Sequence, residues 1–363
     1  MIPLVHPIFG KEEKKIINEV IDSRVVASGK YVEQFEQQFA KLSNAKFGVA
    51  CSNGTTALHA ALLACGVKAG DKVITTPFTF IATANSILFC GAKPIFADID
   101  PETYNICPKS VEKILKTHKV KAVVCVHLYG LASDMGALLK LKKKYKFALI
   151  EDACQAHLAG YNGKIVGAIG DASAFSFYAT KNMTTGEGGI ILTNDKNIDS
   201  LSRQLINHGR SGHSTHTVLG YNYRLTNISA AMGIVQCKQI QKWTKQRIKN
   251  ANQLSSGLKK LNFLQVPFVP KGYTHVFHQY TVRIKNGLRD QFMKYLQDNG
   301  IGCGVYYPEV IYKQPLYKDL GYKAIVCPQA EQAVKEVLSL PVHPALKEKD
   351  IKFIVNTIKN FKS

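Results

Sequence analysis

The sequence predicts an α/β protein, with a large domain on a mainly parallel sheet covered by helices and a smaller α+β domain after it. Three observations carry this. Between residues 46 and 150, short apolar runs alternate with stretches of helical periodicity, as in strands joined by crossover helices. Two more apolar runs, 174–178 and 189–192, flank a polar, glycine-dense turn. Around 267–273 the composition shifts towards proline and aromatic residues, and the chain beyond mixes short strands with helices. The boundary is set near 250, giving domains 1–250 and 251–363.

In chain order, Ile16, Ile17, Val20 and Ile21 share one face of a helix over 11–24, and Phe35 and Phe39 mark a second over 31–42. Then 47–50 reads as a strand, 55–65 as a helix, 73–74 as a strand and 80–90 as a helix. The strand 94–99, helix 110–116, strand 122–126, helix 137–145 and strand 147–150 continue the alternation. Helices are expected over 197–207 and 228–258, the latter long enough to reach another domain. The smaller domain should hold a strand at 281–284 and helices at 289–297, 329–338 and 349–359.

Composition excludes several classes. Hydrophobic residues make up 46% and charged residues 20%, which suits a globular core and not a disordered chain. The N-terminal stretch lacks a signal-peptide core, and no apolar run reaches membrane-spanning length, so no membrane partner is expected. Nine cysteines stand singly without a CxxC pair, pointing to reduced thiols in the cytoplasm and to no metal site. The net charge of +21 raises the question of nucleic acid. Its lysines are scattered along helices such as 137–145, with no recognition motif, so a solvated basic surface that attracts phosphate-bearing small molecules is the better reading.

In parallel sheets ligands bind beyond the carboxyl ends of the strands. Ser52-Asn53-Gly54-Thr55-Thr56 is a strand, a tight turn and a helix start, able to take a phosphate; taken alone, an ordinary capped helix is the better account. Phe80, at the next strand end, suits stacking on a planar ligand or core packing. His127 and Tyr129 end the 122–126 strand with little specificity. Asp152, after an apolar run, would need a partner such as a protonated pyridine nitrogen, or is a helix cap. Lys181, between two buried strands, is placed to lose its charge and act as a nucleophilic amine, or is an exposed turn lysine. Together the set suits an aldehyde cofactor with a phosphate, a ring nitrogen and a carbonyl.

The segments SNGTTALHAAL, PFTFIATAN, EDACQAH, FSFYATKNMTTGEGG and GYNYRLTNISAAMG, with Gly29, Phe35-Glu36, YYPEV, KQPLY and SLPVHP, run through almost the whole chain. They resemble the DegT/DnrJ/StrS-type sugar aminotransferases, enzymes dependent on pyridoxal 5'-phosphate (PLP) with the aspartate-aminotransferase fold, fold type I. The resemblance implies a seven-stranded sheet and assigns roles. Lys181 becomes the lysine that forms a Schiff base with the cofactor, Asp152 the partner of its ring nitrogen and Gln155 that of its phenolic oxygen. Phe80 stacks on the ring; Thr55, Thr56 and Ser176 hold the phosphate. Asn222 reaches the phosphate of a neighbouring subunit, implying a homodimer with shared sites. His157 is expected as a further catalytic residue near the sugar, beside the Tyr307 and Tyr312 segments. Family relatives that act as dehydratases carry histidine at the lysine position, so Lys181 favours transamination. Leu158 departs from the small residue that often follows the histidine.

The expected reaction moves an amino group from L-glutamate to a keto group of a nucleotide-linked sugar, at C4 in preference to C3, for surface polysaccharide or other glycoconjugate. Another fold-type-I activity such as a lyase, a PLP-binding regulatory protein and a nucleic-acid binder are the alternatives.

Overall fold

The computed structural model describes residues 1–362. Its centre is a seven-stranded sheet made by β1 (Phe47–Cys51), β2 (Lys72–Thr75), β3 (Lys93–Phe96), β4 (Ala122–Val126), β5 (Ala148–Asp152), β6 (Ala172–Ser176) and β7 (Gly189–Thr193). Across the sheet the order is β1-β7-β6-β5-β4-β2-β3. Neighbours from β6 to β3 pair in parallel, while β7 runs antiparallel to both β6 and β1. The reversal follows from the connection: the segment 177–188 turns back without a crossover helix, so β7 returns beside β6. That returning segment carries Lys181.

Strands β4, β6 and β7 are buried along their whole length, because the sheet is covered on both faces. On one side α1 (Lys11–Asp22), α2 (Lys30–Leu42) and the first half of the long helix α8 (Asn227–Leu258) pack over Phe35, Phe39, Phe175 and Phe177. On the other, α3 (Gly54–Ala64) buries Ala57, Leu58, Ala61 and Leu62 against Val49, Ala174 and Ile191. Helices α4 (Ala82–Phe89), α5 (Pro108–Leu115), α6 (Met135–Tyr145) and α7 (Lys196–Leu205) complete the layers.

Strand β1 is the sheet's edge, and side chains close it. Glu36 of α2 accepts the Ala50 N–H at 2.7 Å, and Arg203 of α7 donates to the Gly48 carbonyl at 2.8 Å. The two side chains pair with each other at 2.9 Å. Burial outweighs the Arg203 attraction and raises the Glu36 pKa.

Helix α8 (Asn227–Leu258) has 32 residues, capped by the Thr226 side chain on the Ser229 N–H. It passes unbroken through residue 250, so the expected boundary falls inside a helix. The second apolar cluster nonetheless begins at Ala251 and gathers Leu254, Leu258, Tyr280, Phe292, Ile354 and Ile358. It packs helices α9 (Arg289–Asp298) and α12 (Glu348–Lys359) on a small sheet of β8 (Leu264–Gln265), β9 (Tyr280–Ile284) and β10 (Val337–Leu340). Helix α11 (Pro328–Glu336) stops two residues short of the expected 329–338, because Leu338 pairs with Val282 in that sheet. A short α10 (Pro315–Asp319) precedes it. The chain start also joins this side: the Ile2 N–H donates to the Gly300 carbonyl, and the Gly302 N–H to Ile2, both at 2.8 Å. The division 1–250 and 251–363 therefore misses the first residues. No helix among the described residues is long and apolar enough to cross a membrane.

Candidate active site

The carboxyl ends of β1, β2, β4, β5 and β6 open on one cavity of about 970 Å³, closed from the other side by Leu4, Val5, Tyr306, Tyr307 and Val342. That size holds a drug-sized or larger ligand. Helix α3 points its first turn into it. Asn53 caps the helix by accepting the Thr56 N–H at 2.9 Å, a contact that stabilises a helix by about 1 kcal/mol. The Gly54 and Thr55 N–H groups ahead of it have no place in the helical ladder. A Cβ on Gly54 would lie 2.8 Å from Ser176 Cβ and 2.9 Å from Cys154 Sγ, so only glycine lets these segments meet. The helix end, with the Thr55 and Ser176 side chains beside it, makes a seat for a phosphate. The Thr56 hydroxyl already donates to the Asn53 carbonyl at 2.8 Å and serves the cap first.

Asp152 ends β5 and is 4% exposed. Thr83 of α4 donates its hydroxyl to Asp152 Oδ2 at 2.7 Å, and the Cys154 N–H donates to Oδ1 at 3.2 Å. The neighbouring Glu151 points the opposite way, as alternation along a strand demands. It accepts Gly167 N–H at 2.8 Å, Ile169 N–H at 2.8 Å and Gly170 N–H at 2.7 Å, and pairs with His127 Nε2 at 2.9 Å. Burial alone would raise its pKa, but the His127 ring and these N–H groups hold it below the usual carboxylate range. His127 Nδ1 accepts the Ser133 N–H at 3.0 Å, so its proton sits on Nε2, facing Glu151. His127 is thus a structural residue under the floor of the site.

Lys181 is half-buried and lines the cavity with Asp152. Burial lowers its pKa, opposed by the Asp152 carboxylate, so the amine gives up its proton more readily than a surface lysine. The Cys154 thiol beside it is pushed well above its usual pKa by burial and Asp152, and stays protonated. In the turn that follows, Gly186 takes a positive φ of 80°, and Gly189 admits the Asn53 carbonyl, which a Cβ would meet at 2.3 Å. Gln155 is fixed at both ends: its Oε1 accepts the Tyr129 N–H at 2.9 Å and its Nε2 donates to Tyr307 at 3.0 Å. Phe80 is 56% exposed at the cavity, its ring 6.2 Å from that of Tyr307. A large exposed aromatic on a cavity wall offers a face for a flat ligand. A phosphate seat, a buried carboxylate, a desolvated amine and a bare aromatic facing one space fit a phosphate-bearing pyridine aldehyde.

Residues 7–359 match the DegT/DnrJ/EryC1/StrS aminotransferase family. The chain belongs to this family. Among curated relatives of this aminotransferase is a "Pleiotropic regulatory protein" of Geobacillus stearothermophilus, 44% identical, with 96% of this chain and 94% of the relative covered. A GDP-perosamine synthase of Escherichia coli O157:H7 is 36% identical, covering 100% of this chain and 99% of its own. Among solved structures, NtdA of Bacillus subtilis with bound cofactor PMP superposes with a TM-score of 0.89 at 29% identity, covering 97% of this chain and 82% of that one.

Of the site residues expected in this aminotransferase, Thr55, Thr56, Phe80, Asp152, Gln155, Ser176 and Lys181 all line the one cavity. His157 does not. It is 1% exposed among Phe39, Phe175 and Phe177, with neither ring nitrogen hydrogen-bonded among the described residues, and burial lowers its pKa to about 3. The short turn after Gln155 sends it into the core behind the sheet, so the expected catalytic role is corrected to a packing one. Tyr312 is likewise buried, donating to Glu331 at 2.6 Å, whereas Tyr307 faces the cavity. Asn222 is exposed and outside this cavity, in a bridge to Asn207. Leu158 adopts a φ of 66° and packs against the His157 side of the sheet, not the cavity. The left-handed backbone explains why a small residue suits that position.

Sequence reading missed Thr83, Glu151, His278 and Gln279. Thr83 lies one helical turn beyond Thr79, which hydrogen-bonds it at 3.2 Å, and that spacing was the available signal. His278 and Gln279 come from a distant segment with no motif of their own.

Proposed function

We propose that the protein transfers an amino group from L-glutamate to the keto group of a nucleotide-diphosphate-linked sugar, in amino-sugar synthesis for surface polysaccharide or glycoconjugate. The observation that carries the reading is Lys181 and Asp152 facing one cavity with a helix N-terminus at its end. When bound, PLP supplies a carbonyl that condenses with amines and a protonated ring that withdraws electrons. Asp152, steadied by Thr83 and the Cys154 N–H, would keep the proton on the ring nitrogen. Gln155, locked by Tyr129 and Tyr307, would hold the phenolic oxygen, and Phe80 would cover the ring. The Gly54 and Thr55 N–H groups with the Thr55 and Ser176 hydroxyls would hold the phosphate. Lys181 would take a proton from the substrate carbon that bears nitrogen and deliver it elsewhere, as its lowered pKa allows.

Both substrates would use the same space in turn. The remote nucleotide and diphosphate would supply binding energy that orients the reacting carbon. The surplus of positive charge, +21, would draw such an anion in. A homodimer is part of the proposal: Asn222, exposed and away from its own cavity, would complete the partner's phosphate seat. Single free cysteines suit a reducing cytoplasm.

The test is to supply glutamate with a keto-sugar either free or nucleotide-linked and follow product by mass spectrometry. The linked sugar is expected to react far faster, with a higher kcat and a lower KM, and its affinity to weaken with salt. Equal rates would reject this acceptor class. Amination at C4 is proposed ahead of C3, and 3-keto and 4-keto acceptors in the same assay decide it. The regulatory name of the 44% identical relative favours a second reading, a PLP-binding protein without turnover. Bound cofactor whose visible absorbance ignores glutamate would establish it.

A further inference from the structure

The segment 276–280 forms one wall of the cavity. Its Val276 N–H donates to the Gly130 carbonyl at 3.0 Å and its Gln279 N–H to the Tyr129 carbonyl at 3.2 Å, which fixes it against the loop after β4. His278 and Gln279 both line the cavity. The Gln279 Oε1 accepts the Ser339 hydroxyl at 3.0 Å, so its amide N–H groups are left for another partner.

His278 Nδ1 is buried with no partner among the described residues. Behind it stands Arg247 of α8, 5% exposed, whose Nη1 donates to the carbonyls of Phe277 at 3.1 Å and His278 at 3.5 Å. No ion pair among the described residues neutralises Arg247, and burial lowers its pKa to about 10. Burial, then the charges of Lys181 and Arg247, then the neighbouring His157 and His275, hold the His278 pKa well below its ordinary value. The ring therefore carries one proton. Nδ1 is the ring nitrogen nearer the backbone, where Arg247 binds, and a cation favours a lone pair on that side over an N–H. The proton then belongs on Nε2, which becomes a donor.

Among the described residues, a carboxylate entering this cavity finds no arginine in its lining. In an amino acid the carboxylate is attached to the carbon that bears nitrogen, so its holder must stand near Lys181, and His278 lies within Lys181's field. We propose that His278 and Gln279 form a paired N–H donor site for the carboxylate of the amino-acid substrate, with Arg247 as the positioning residue behind them. This rests on the amino-donor reading above.

The test uses holoenzyme and glutarate, a dicarboxylate without an amine, titrated by calorimetry. His278→Phe and Gln279→Glu are each expected to weaken glutarate at least tenfold, with melting temperature and visible cofactor absorbance kept. His278→Asn, which retains an N–H donor, should recover part of the loss. In single turnovers the glutamate half-reaction should show a raised apparent KM, while KM for the keto-sugar changes less than twofold. Arg247→Met should weaken glutarate in the wild-type background and add no further loss to His278→Phe, whereas a purely structural role would add its own. Absent glutarate binding in the wild type, unchanged affinity in both variants, or equal losses for donor and acceptor would overturn the proposal. Glutarate loss as expected, in an enzyme that aminates no keto-sugar, would leave the carboxylate pair standing and reject the acceptor reading alone.

Discussion

At the scale of single residues, chemistry depends on which charges have partners. Lys181 is desolvated while the Asp152 carboxylate pulls its pKa back only partly, so the amine is poised without being trapped in an ion pair among the described residues. Lys181→Ala is expected to remove the visible absorbance of the lysine-bound cofactor and all glutamate-dependent amination; retained activity would remove Lys181 from its role. Asp152→Asn should keep the fold and the cofactor yet slow both half-reactions by several orders of magnitude in stopped-flow, since an amide cannot hold the ring proton. Thr83→Val tests the support behind that carboxylate. Losing a hydrogen bond to a charged group is worth about 1.5–3 kcal/mol, so kcat should fall by roughly tenfold or more with cofactor affinity little changed. A wild-type rate would mean that the strand and the Cys154 N–H suffice to hold Asp152.

At the scale of elements, the Glu151 clamp ties β5 to the 167–170 turn and, through His127, to the loop ending at Ser133. Glu151→Gln is expected to cost about 1.5–3 kcal/mol in denaturant unfolding, because an amide cannot accept from all the N–H groups that converge on this buried carboxylate. A folded pKa below the unfolded one places this stabilisation above the unfolded value of about 4.3, and it fades as pH falls through the folded value. The variant's deficit should therefore shrink in acid. Much of this level was legible in the sequence. Apolar runs bounded by turns located all seven sheet strands, since most of their residues are buried between the helical layers. The strand-end rule then brought Thr55, Asp152 and Lys181 together. The direction of β7 was hidden, because it depends on how the Lys181 segment folds back and not on composition. His157 was misplaced because nearness in sequence to Gln155 says nothing of which side of the sheet a turn exposes. His278 was invisible because tertiary folding alone carries it to the cavity from beyond the long helix.

For the whole molecule, buried uncharged histidines set an acid limit. Burial lowers the pKa of His157 and His275 to about 3 and of His343 to about 4. The unfolded chain binds protons below about 6.5 that these folded rings refuse, so stability is complete above that pH and drains away beneath it. Each ring should contribute a loss of roughly 2 kcal/mol by pH 5. Thermal melts in buffers from pH 7.5 to 5 should show a steep decline, and a flat profile would mean that the rings reach water. Shared active sites make a second test. Lys181→Ala mixed with a crippled Asn222→Ala should regain activity on subunit exchange, because one site of the mixed dimer then has both residues. No gain, with exchange shown independently, would place Asn222 in its own subunit's site. The Glu36–Arg203 closure of β1 has a consequence for handling the protein. An open edge strand is a template on which further chains can add in register and seed precipitation. Here the Ala50 N–H and the Gly48 carbonyl are already occupied by side chains, which removes two of the template's anchor points. Arg203→Ala should therefore shorten the lag before turbidity appears in concentrated samples, out of proportion to any change in melting temperature.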